Sequence, residues 1–100
     1  MGISFAEDYQ VRRLGLEGVL ILGVAPGSAA EKAGLEPTKQ DRFGRIVLGD
    51  LIVAAGGKPI RDRNDLFRVL DSHEVGDTLT LTVVRNERKV DVQVSLQALP

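Results

Sequence analysis

The sequence contains no cysteine and no tryptophan, and it has a single histidine, His73. Without cysteine there is no disulfide, no thiolate nucleophile and no zinc–thiolate site. His73 precedes Glu74 at the predicted end of a helix, where an imidazole interacts favourably with the helix dipole. We therefore interpret His73 as a solvated capping residue rather than a catalytic base. A zinc-binding HExxH motif is also excluded, because the second histidine is missing.

The charged and aromatic residues show no bias that would indicate a polyanionic partner. The chain has 13 basic and 14 acidic residues, a formal net charge of −1, three Phe and one Tyr. Nucleic-acid binding usually requires a basic surface and aromatic platforms for base stacking, so we expect no nucleic-acid partner. No apolar run approaches the ~20 residues of a membrane-spanning helix, and we expect no membrane insertion.

Motifs for enzymatic chemistry are missing as well. Gly57-Lys58 is followed by Pro59 instead of the Ser or Thr of a phosphate-binding loop. None of the serines lies in a Gly-x-Ser-x-Gly elbow, and the carboxylates are scattered over turns and helix caps. The sequence therefore predicts a domain that is not itself catalytic and that uses no metal or cofactor.

Hydrophobic patterning predicts a small sheet. Residues 2–6 alternate, with Ile3 and Phe5 on one face of a strand. Gly18–Val24 is an almost unbroken apolar run, which predicts a strand buried on both faces. Further strands are predicted at 51–55 and 58–60. The last quarter predicts a hairpin with one buried face, formed by Leu79, Leu81 and Val83 opposite Val90, Val92, Val94 and Leu96.

Two helices are predicted from their capping residues. Ser28 and Glu31 form a capping box, and Gly34 ends that short helix. Asp62 is the N-cap of a second helix over residues 63–72. Leu66 and Val69 form its buried edge, whereas Arg63, Phe67 and Leu70 share a neighbouring arc. Segments 7–15 and 36–45 are polar and are interpreted as loops. We expect an α+β fold: a small, mostly antiparallel curved sheet, a partly open barrel, capped by two helices.

Four stretches in chain order resemble PDZ domains of HtrA/Deg-type (DegP-like) serine proteases: Gly18–Leu35, Gly49–Ile60, Asp65–Leu70 and Gly76–Arg85. The resemblance covers essentially the whole chain, so we expect a single PDZ domain over residues 1–100, detached from its protease domain. The insert ending in Phe43–Asp50 resembles the one found in a subset of Deg proteases, those of plastids, cyanobacteria and some other bacteria. Ala29 and Gly56 depart from the family pattern, which usually has proline and asparagine there.

The resemblance also implies a peptide-binding site. Met1-Gly2-Ile3 matches the hydrophobic-Gly-hydrophobic loop that holds the ligand carboxylate, where backbone N–H groups form an anion-binding nest. The ligand would add as a strand along residues 3–6 and fill a pocket between that strand and the second helix. The site residues expected on this basis are Met1, Gly2, Ile3, Ser4, Phe5, Arg63, Phe67 and Leu70. Ile3 and Phe5 could instead be core residues, and Arg63 could be solvated surface.

The resemblance implies a module that binds peptides or the C-termini of unfolded proteins and regulates a serine protease in protein quality control. Its partners would be those peptides, with affinity on the order of micromolar, and the protease domain of the same parent chain. We expect the isolated domain to be monomeric, and a periplasmic, extracytoplasmic or plastid-lumen location. Two alternatives stay open. The parent could be an intramembrane metalloprotease, a tail-specific protease or a secretion protein, or the domain could serve only as a structural contact between subunits.

Overall fold

The computed structural model describes residues 2–96. The strands are β1 (Ile3–Phe5), β2 (Val19–Val24), β3 (Lys39–Gln40), β4 (Ile46–Val47), β5 (Leu51–Ala55), β6 (Lys58–Pro59), β7 (Thr78–Arg85) and β8 (Arg88–Ser95). The helices are α1 (Asp8–Arg13), α2 (Ala29–Ala33) and α3 (Arg63–Asp71). Six strands form one antiparallel sheet in the order β1-β2-β5-β7-β8, with β6 paired to β5, and β3 and β4 form a separate hairpin. The predicted α+β class and the mostly antiparallel sheet are confirmed, and the sheet stays open rather than closing into a barrel.

Both predicted helices are confirmed as α2 and α3, but the interpretation of residues 7–15 as a loop was wrong, because that segment contains the additional helix α1. Gln10 Oε1 accepts a hydrogen bond from the Glu7 N–H at 3.0 Å, which caps the first turn. Gly15, at φ +73°, follows the helix end, and the Leu16 N–H donates to the Val11 carbonyl at 3.2 Å. Val11 is the buried residue of this helix. One buried residue in two turns gives no apolar periodicity, so hydrophobic patterning could not identify the helix.

The main core lies between the sheet and helices α2 and α3. Its largest fully buried side chains come from β2, β5, β7, β8 and α3, together with the residue after β6: Val19, Ile21, Ile52, Ile60, Leu66, Leu79, Leu81, Val83 and Val94. The predicted β7–β8 hairpin is confirmed. Its turn residues Asn86 and Glu87 both have positive φ, 50° and 65°, as a two-residue turn that follows the strand twist requires.

A smaller apolar cluster lies beneath α1, formed by Ala6, Val11, Leu20 and Leu51. Strand β2 separates the two clusters, since Leu20 and Ile21 alternate across it. Only the first half of β2 is buried on both faces, because Leu22 is 42% exposed. The expectation of a fully buried strand over Gly18–Val24 was therefore wrong beyond Ile21.

Asp50 connects the loop before β5 to the end of β7. Its side chain is fully buried and accepts two hydrogen bonds from Arg85, from Nε at 2.8 Å and from Nη2 at 2.6 Å. It also accepts one from the Glu36 N–H at 3.1 Å. The hydrogen bond to Asp50, and then the charges of Asp50 and Glu36, raise the pKa of Arg85 above its ordinary value. Burial removes the hydration of the Asp50 carboxylate. The donated hydrogen bonds and the positive charge of Arg85 compensate for that loss.

Candidate functional site

Strand β1 has one paired edge and one unpaired edge within residues 2–96. It pairs antiparallel with β2, with Ile3 opposite Val24 and Ser4 opposite Gly23, and a bulge lies between Ser4 and Phe5. In the sheet order β1 is the terminal strand. Its outer N–H and C=O groups are therefore a template to which another extended chain can hydrogen-bond.

Gly2 sets the shape of the chain just before this edge strand. Its φ is +75°, and a Cβ built on it would lie 2.4 Å from the Ser28 Cβ. Its carbonyl accepts a hydrogen bond from the Ala25 N–H at 2.8 Å, next to the start of α2. Only glycine satisfies both the backbone angle and this close approach. Met1, the other residue predicted for the loop, lies outside the described residues.

Helix α3 forms the second wall beside β1. The Phe5 and Phe67 rings are 6.1 Å apart between centroids and tilted by 58°. Phe67 is 43% exposed, whereas Leu66 and Val69 are buried, so the predicted division of the helix into a core edge and an outer arc is correct. Ile3, Phe5 and Leu70 are half-buried and pack against the main core. The structure thus brings four predicted residues to one side, Ile3, Phe5, Phe67 and Leu70. Ser4 alternates with Ile3 on β1 and is exposed. We call the space between β1 and α3 the groove.

The start of α3 is fixed by a network of side-chain caps. Asp62 Oδ1 accepts a hydrogen bond from the Asp65 N–H at 2.9 Å, and Asp65 Oδ2 accepts one from the Arg61 N–H at 3.0 Å. The Arg61 N–H lowers the pKa of Asp65 most, and the charges of Arg61 and Arg68 lower it further. Asp65 is therefore ionised at neutral pH and keeps the first turn of α3 in place.

Arg63 stands at the same end of the groove, and its side chain is held by α1 and the residue before it. Its Nη2 donates to Glu7 Oε2 at 3.0 Å, and its Nε is 3.8 Å from Asp8 Oδ1. The Arg63 N–H also donates to Asp8 Oδ1, at 3.2 Å. The guanidinium that we expected to face either a ligand or solvent is thus paired with acidic residues of its own chain. Sequence reasoning missed Glu7 and Asp8, because their partner is more than fifty positions away.

Two other regions of the molecule lie outside the groove. At the end of α3, His73 Nδ1 lies 2.8 Å from the Val69 carbonyl oxygen, which agrees with the predicted capping role. A concave surface that encloses a volume of about 490 Å³ lies over the smaller apolar cluster, between α1, β2 and the β3–β4 hairpin. Its lining residues include Leu14, Leu22, Ile46 and Leu48. It carries no charged side chain and contains no paired catalytic groups.

Within residues 2–96 no cluster of His, Cys, Asp and Glu is arranged to hold a metal ion. In the same part of the chain, no helix is long and apolar enough to cross a membrane.

Known proteins are similar to this chain in sequence and in fold. The chain is 44% identical over 100 residues to "Protease Do-like 1, chloroplastic" of Arabidopsis thaliana, which is all of this chain and 23% of that protein. It is 40% identical over 98 residues to "Protease Do-like 8, chloroplastic" of the same plant, covering 97% of this chain and 22% of that protein. The chain therefore spans about a quarter of the length of these relatives.

Among solved structures, the HtrA3 PDZ domain bound to a phage-derived ligand (FGRWV) superimposes with a TM-score of 0.71 at 21% identity. That match covers 95% of this chain and 81% of the other, and it shows a shared fold. The sequence model of the PDZ domain family matches residues 1–96. The chain belongs to the PDZ domain family, and it is a PDZ domain of the type found in HtrA/Deg-type serine proteases.

Proposed function

We propose that this domain binds the carboxyl-terminal segments of peptides and unfolded proteins by adding them as a strand to β1. The observation that supports this most directly is the unpaired edge of β1 beside the exposed Phe67 ring. A ligand strand would gain main-chain hydrogen bonds from residues 3–5 and bury apolar side chains against α3. The HtrA3 PDZ domain, which has the same fold, binds a five-residue phage-derived ligand (FGRWV) in its crystal structure.

The roles within the groove follow from chemistry and position. Gly2 and Met1 would present backbone N–H groups to the ligand carboxylate, because a positive-φ glycine turns successive N–H groups toward one point. Ile3, Phe5, Phe67 and Leu70 would surround the last apolar side chain of the ligand. Ser4, which is exposed on β1, would lie along the ligand backbone. The domain itself would perform no chemistry.

A titration with a peptide that ends in an apolar residue tests this proposal. We expect amide chemical-shift changes in residues 2–6 and 63–70, and we expect the same peptide with an amidated C-terminus to bind much more weakly. Shifts confined to the surface around Leu22 and Ile46, or binding that is indifferent to amidation, would contradict strand addition at β1.

A matched pair of variants sharpens the test. Phe67 and Leu22 are 43% and 42% exposed, but only Phe67 lies in the groove. We expect Phe67→Ala to weaken peptide binding about tenfold, because a partly exposed ring contributes on the order of 1–2 kcal/mol to an apolar contact. Leu22→Ala should leave the affinity unchanged. Equal losses in both variants would indicate a general effect on folding or a different site.

For the parent protein, we propose that the domain delivers substrate to a serine-protease domain and relays its occupancy to the catalytic site, within a trimeric or larger assembly. The two Arabidopsis relatives are named as chloroplastic Do-like proteases. A plastid or extracytoplasmic location and a part in protein quality control fit that relationship. In the full-length protein, a groove-binding peptide should stimulate cleavage of an unfolded substrate, and Phe67→Ala should remove the stimulation but not the basal cleavage.

A further inference from the structure

The far end of the groove, away from Gly2, carries more acidic than basic groups. Glu7 and Asp8 lie two and three residues after the end of β1, and both approach Arg63 in the first turn of α3. Arg63 and Phe67 are four residues apart, so they lie in one row on the helix face. The row therefore runs from an apolar contact at Phe5 and Phe67 to a charged contact at Glu7 and Arg63.

The Arg63 guanidinium is already neutralised by its own chain. Arg63 Nη2 contacts Glu7 at 3.0 Å, and Arg63 Nε and N–H both face Asp8 Oδ1. The Glu7 side chain remains 53% exposed, and that of Arg63 is 33% exposed. A ligand thus meets an accessible carboxylate before it meets an unpaired positive charge.

The wider neighbourhood does not reverse this balance. A cavity of about 180 Å³ adjoins Asp8 and is lined by charges of both signs. Arg61 at its rim is paired with Asp65 at 3.5 Å. Around the start of α3 the charged side chains comprise acidic Glu7, Asp8, Glu17, Asp62 and Asp65 and basic Arg12, Arg61, Arg63 and Arg68. The net charge that a ligand side chain encounters there is negative.

Ligand geometry determines which residue reaches this end. Resting on the proposed strand addition, a ligand runs antiparallel to β1 with its carboxylate near Gly2. Each residue of a strand advances about 3.3 Å, and Glu7 is four positions beyond Ile3 in the sequence. The ligand side chain near Glu7 therefore belongs to one of roughly the second to fourth residues before the C-terminus.

We infer that the groove selects peptides with an apolar C-terminus and a lysine or arginine about two to four residues upstream, and that Glu7 is the residue that determines this preference. A cationic side chain would join Glu7 and Asp8 without displacing Arg63. A ligand carboxylate would have to break the Arg63–Glu7 pair or remain beside it as a like charge. The expected discrimination is about three- to tenfold in dissociation constant, because a lysine peptide gains an exposed ion pair while a glutamate peptide meets a like charge.

Paired peptides test the inference. Each pair has the same apolar end and carries Lys or Glu at the second, third or fourth residue before the C-terminus, and affinities are measured by calorimetry. We expect the Lys peptide to bind about three- to tenfold tighter at one or more of these positions. The difference should shrink as salt is raised, because the charges are partly exposed.

Two Glu→Gln variants identify the origin of the preference. Glu7→Gln removes the exposed carboxylate and frees one side of Arg63, so the Lys preference should fall and the Glu peptide should bind more tightly. Glu87→Gln changes the net charge equally but lies in the β7–β8 turn, and it should leave the preference intact. If both variants change it equally, long-range charge rather than Glu7 is responsible, and the role given to Glu7 is overturned.

The outcomes separate this inference from the function on which it rests. If neither peptide of any pair binds, strand addition at β1 is wrong. If the peptides bind and both members of every pair bind equally, or the Glu peptide binds more tightly, the charge preference is overturned while the peptide-binding function stands.

Discussion

At the scale of single residues, the buried carboxylate of Asp50 depends on a partner that is distant in the sequence. Asp50 immediately precedes β5, but the sequence does not show that its side chain is fully buried and bound by Arg85. That partner is 35 positions away. Breaking such a pair is costly for the stability of the fold, because one charge is left buried without a partner.

We therefore predict that Asp50→Asn destabilises the domain by about 3 kcal/mol, toward the lower end of the range for breaking a buried pair, since Arg85 is partly exposed. Urea unfolding followed by circular dichroism measures the change. Asp41→Asn is the control, because its partner Arg45 has a side chain that is 74% exposed. Its cost should be below about 1 kcal/mol. Similar costs for the two variants would mean that the buried pair of Asp50 and Arg85 stabilises the domain no more than the exposed pair of Asp41 and Arg45.

At the scale of elements, the β3–β4 hairpin stands apart from the main sheet. Its tip is tied together locally: Asp41 Oδ1 accepts hydrogen bonds from the N–H groups of Phe43 and Arg45, both at 2.9 Å. Its base is joined to the core through Thr38, whose hydroxyl donates to the Ile21 carbonyl at 2.8 Å and accepts from the Gly49 N–H at 2.9 Å. The base therefore belongs to the fold, and the tip is an addition to it.

Replacing residues 41–45 by Asn-Gly should shorten the hairpin without loss of the fold. Gln40 and Ile46 are paired across the hairpin, and a two-residue Asn-Gly turn joins such a pair well. We expect the free energy of unfolding to change by less than about 1 kcal/mol, and peptide affinity to be unchanged. By contrast, Thr38→Val at the base should cost about 1 kcal/mol, because the half-buried Gly49 N–H loses its acceptor. The Ile21 carbonyl keeps the Thr38 N–H as its donor. A large loss on shortening the tip would show that it supports the core.

Local sequence signals identified the elements unevenly. Helix α3 and the β7–β8 hairpin were predicted well, because their caps and apolar periods are strong and nearly continuous. Helix α1 was missed because a single buried residue, Val11, carries its packing. The groove residues on β1 and α3 followed from the resemblance, while the pairing of Arg63 with Glu7 depends on two segments that meet only in the folded chain.

At the scale of the whole molecule, the exposed edges of the sheet favour a single copy in solution. Strand β1 is three residues long and interrupted by a bulge, so two copies paired edge to edge at β1 would form few hydrogen bonds. At the opposite edge, β8 exposes Arg88, Lys89 and Asp91. Charged side chains on an edge strand oppose edge-to-edge association.

We predict that the isolated domain sediments as a monomer of 10.8 kDa over a wide concentration range. Sedimentation equilibrium measures this directly. If a dimer forms, Leu22→Lys tests whether its interface is the concave apolar surface that includes Leu22. Ser4→Lys tests whether the interface is the edge of β1. A dimer abolished by Ser4→Lys would contradict a freely accessible groove.

The sequence by itself determined the fold class, the principal helix and the hairpin, because caps, turns and apolar periods act over a few neighbouring residues. It also carried the family resemblance. Only the tertiary structure decided which edge of the sheet stays unpaired, how Asp50 is compensated, and that Arg63 is neutralised by Glu7 and Asp8. These properties depend on contacts between residues that are distant in sequence, and a linear pattern holds no information about which of them meet.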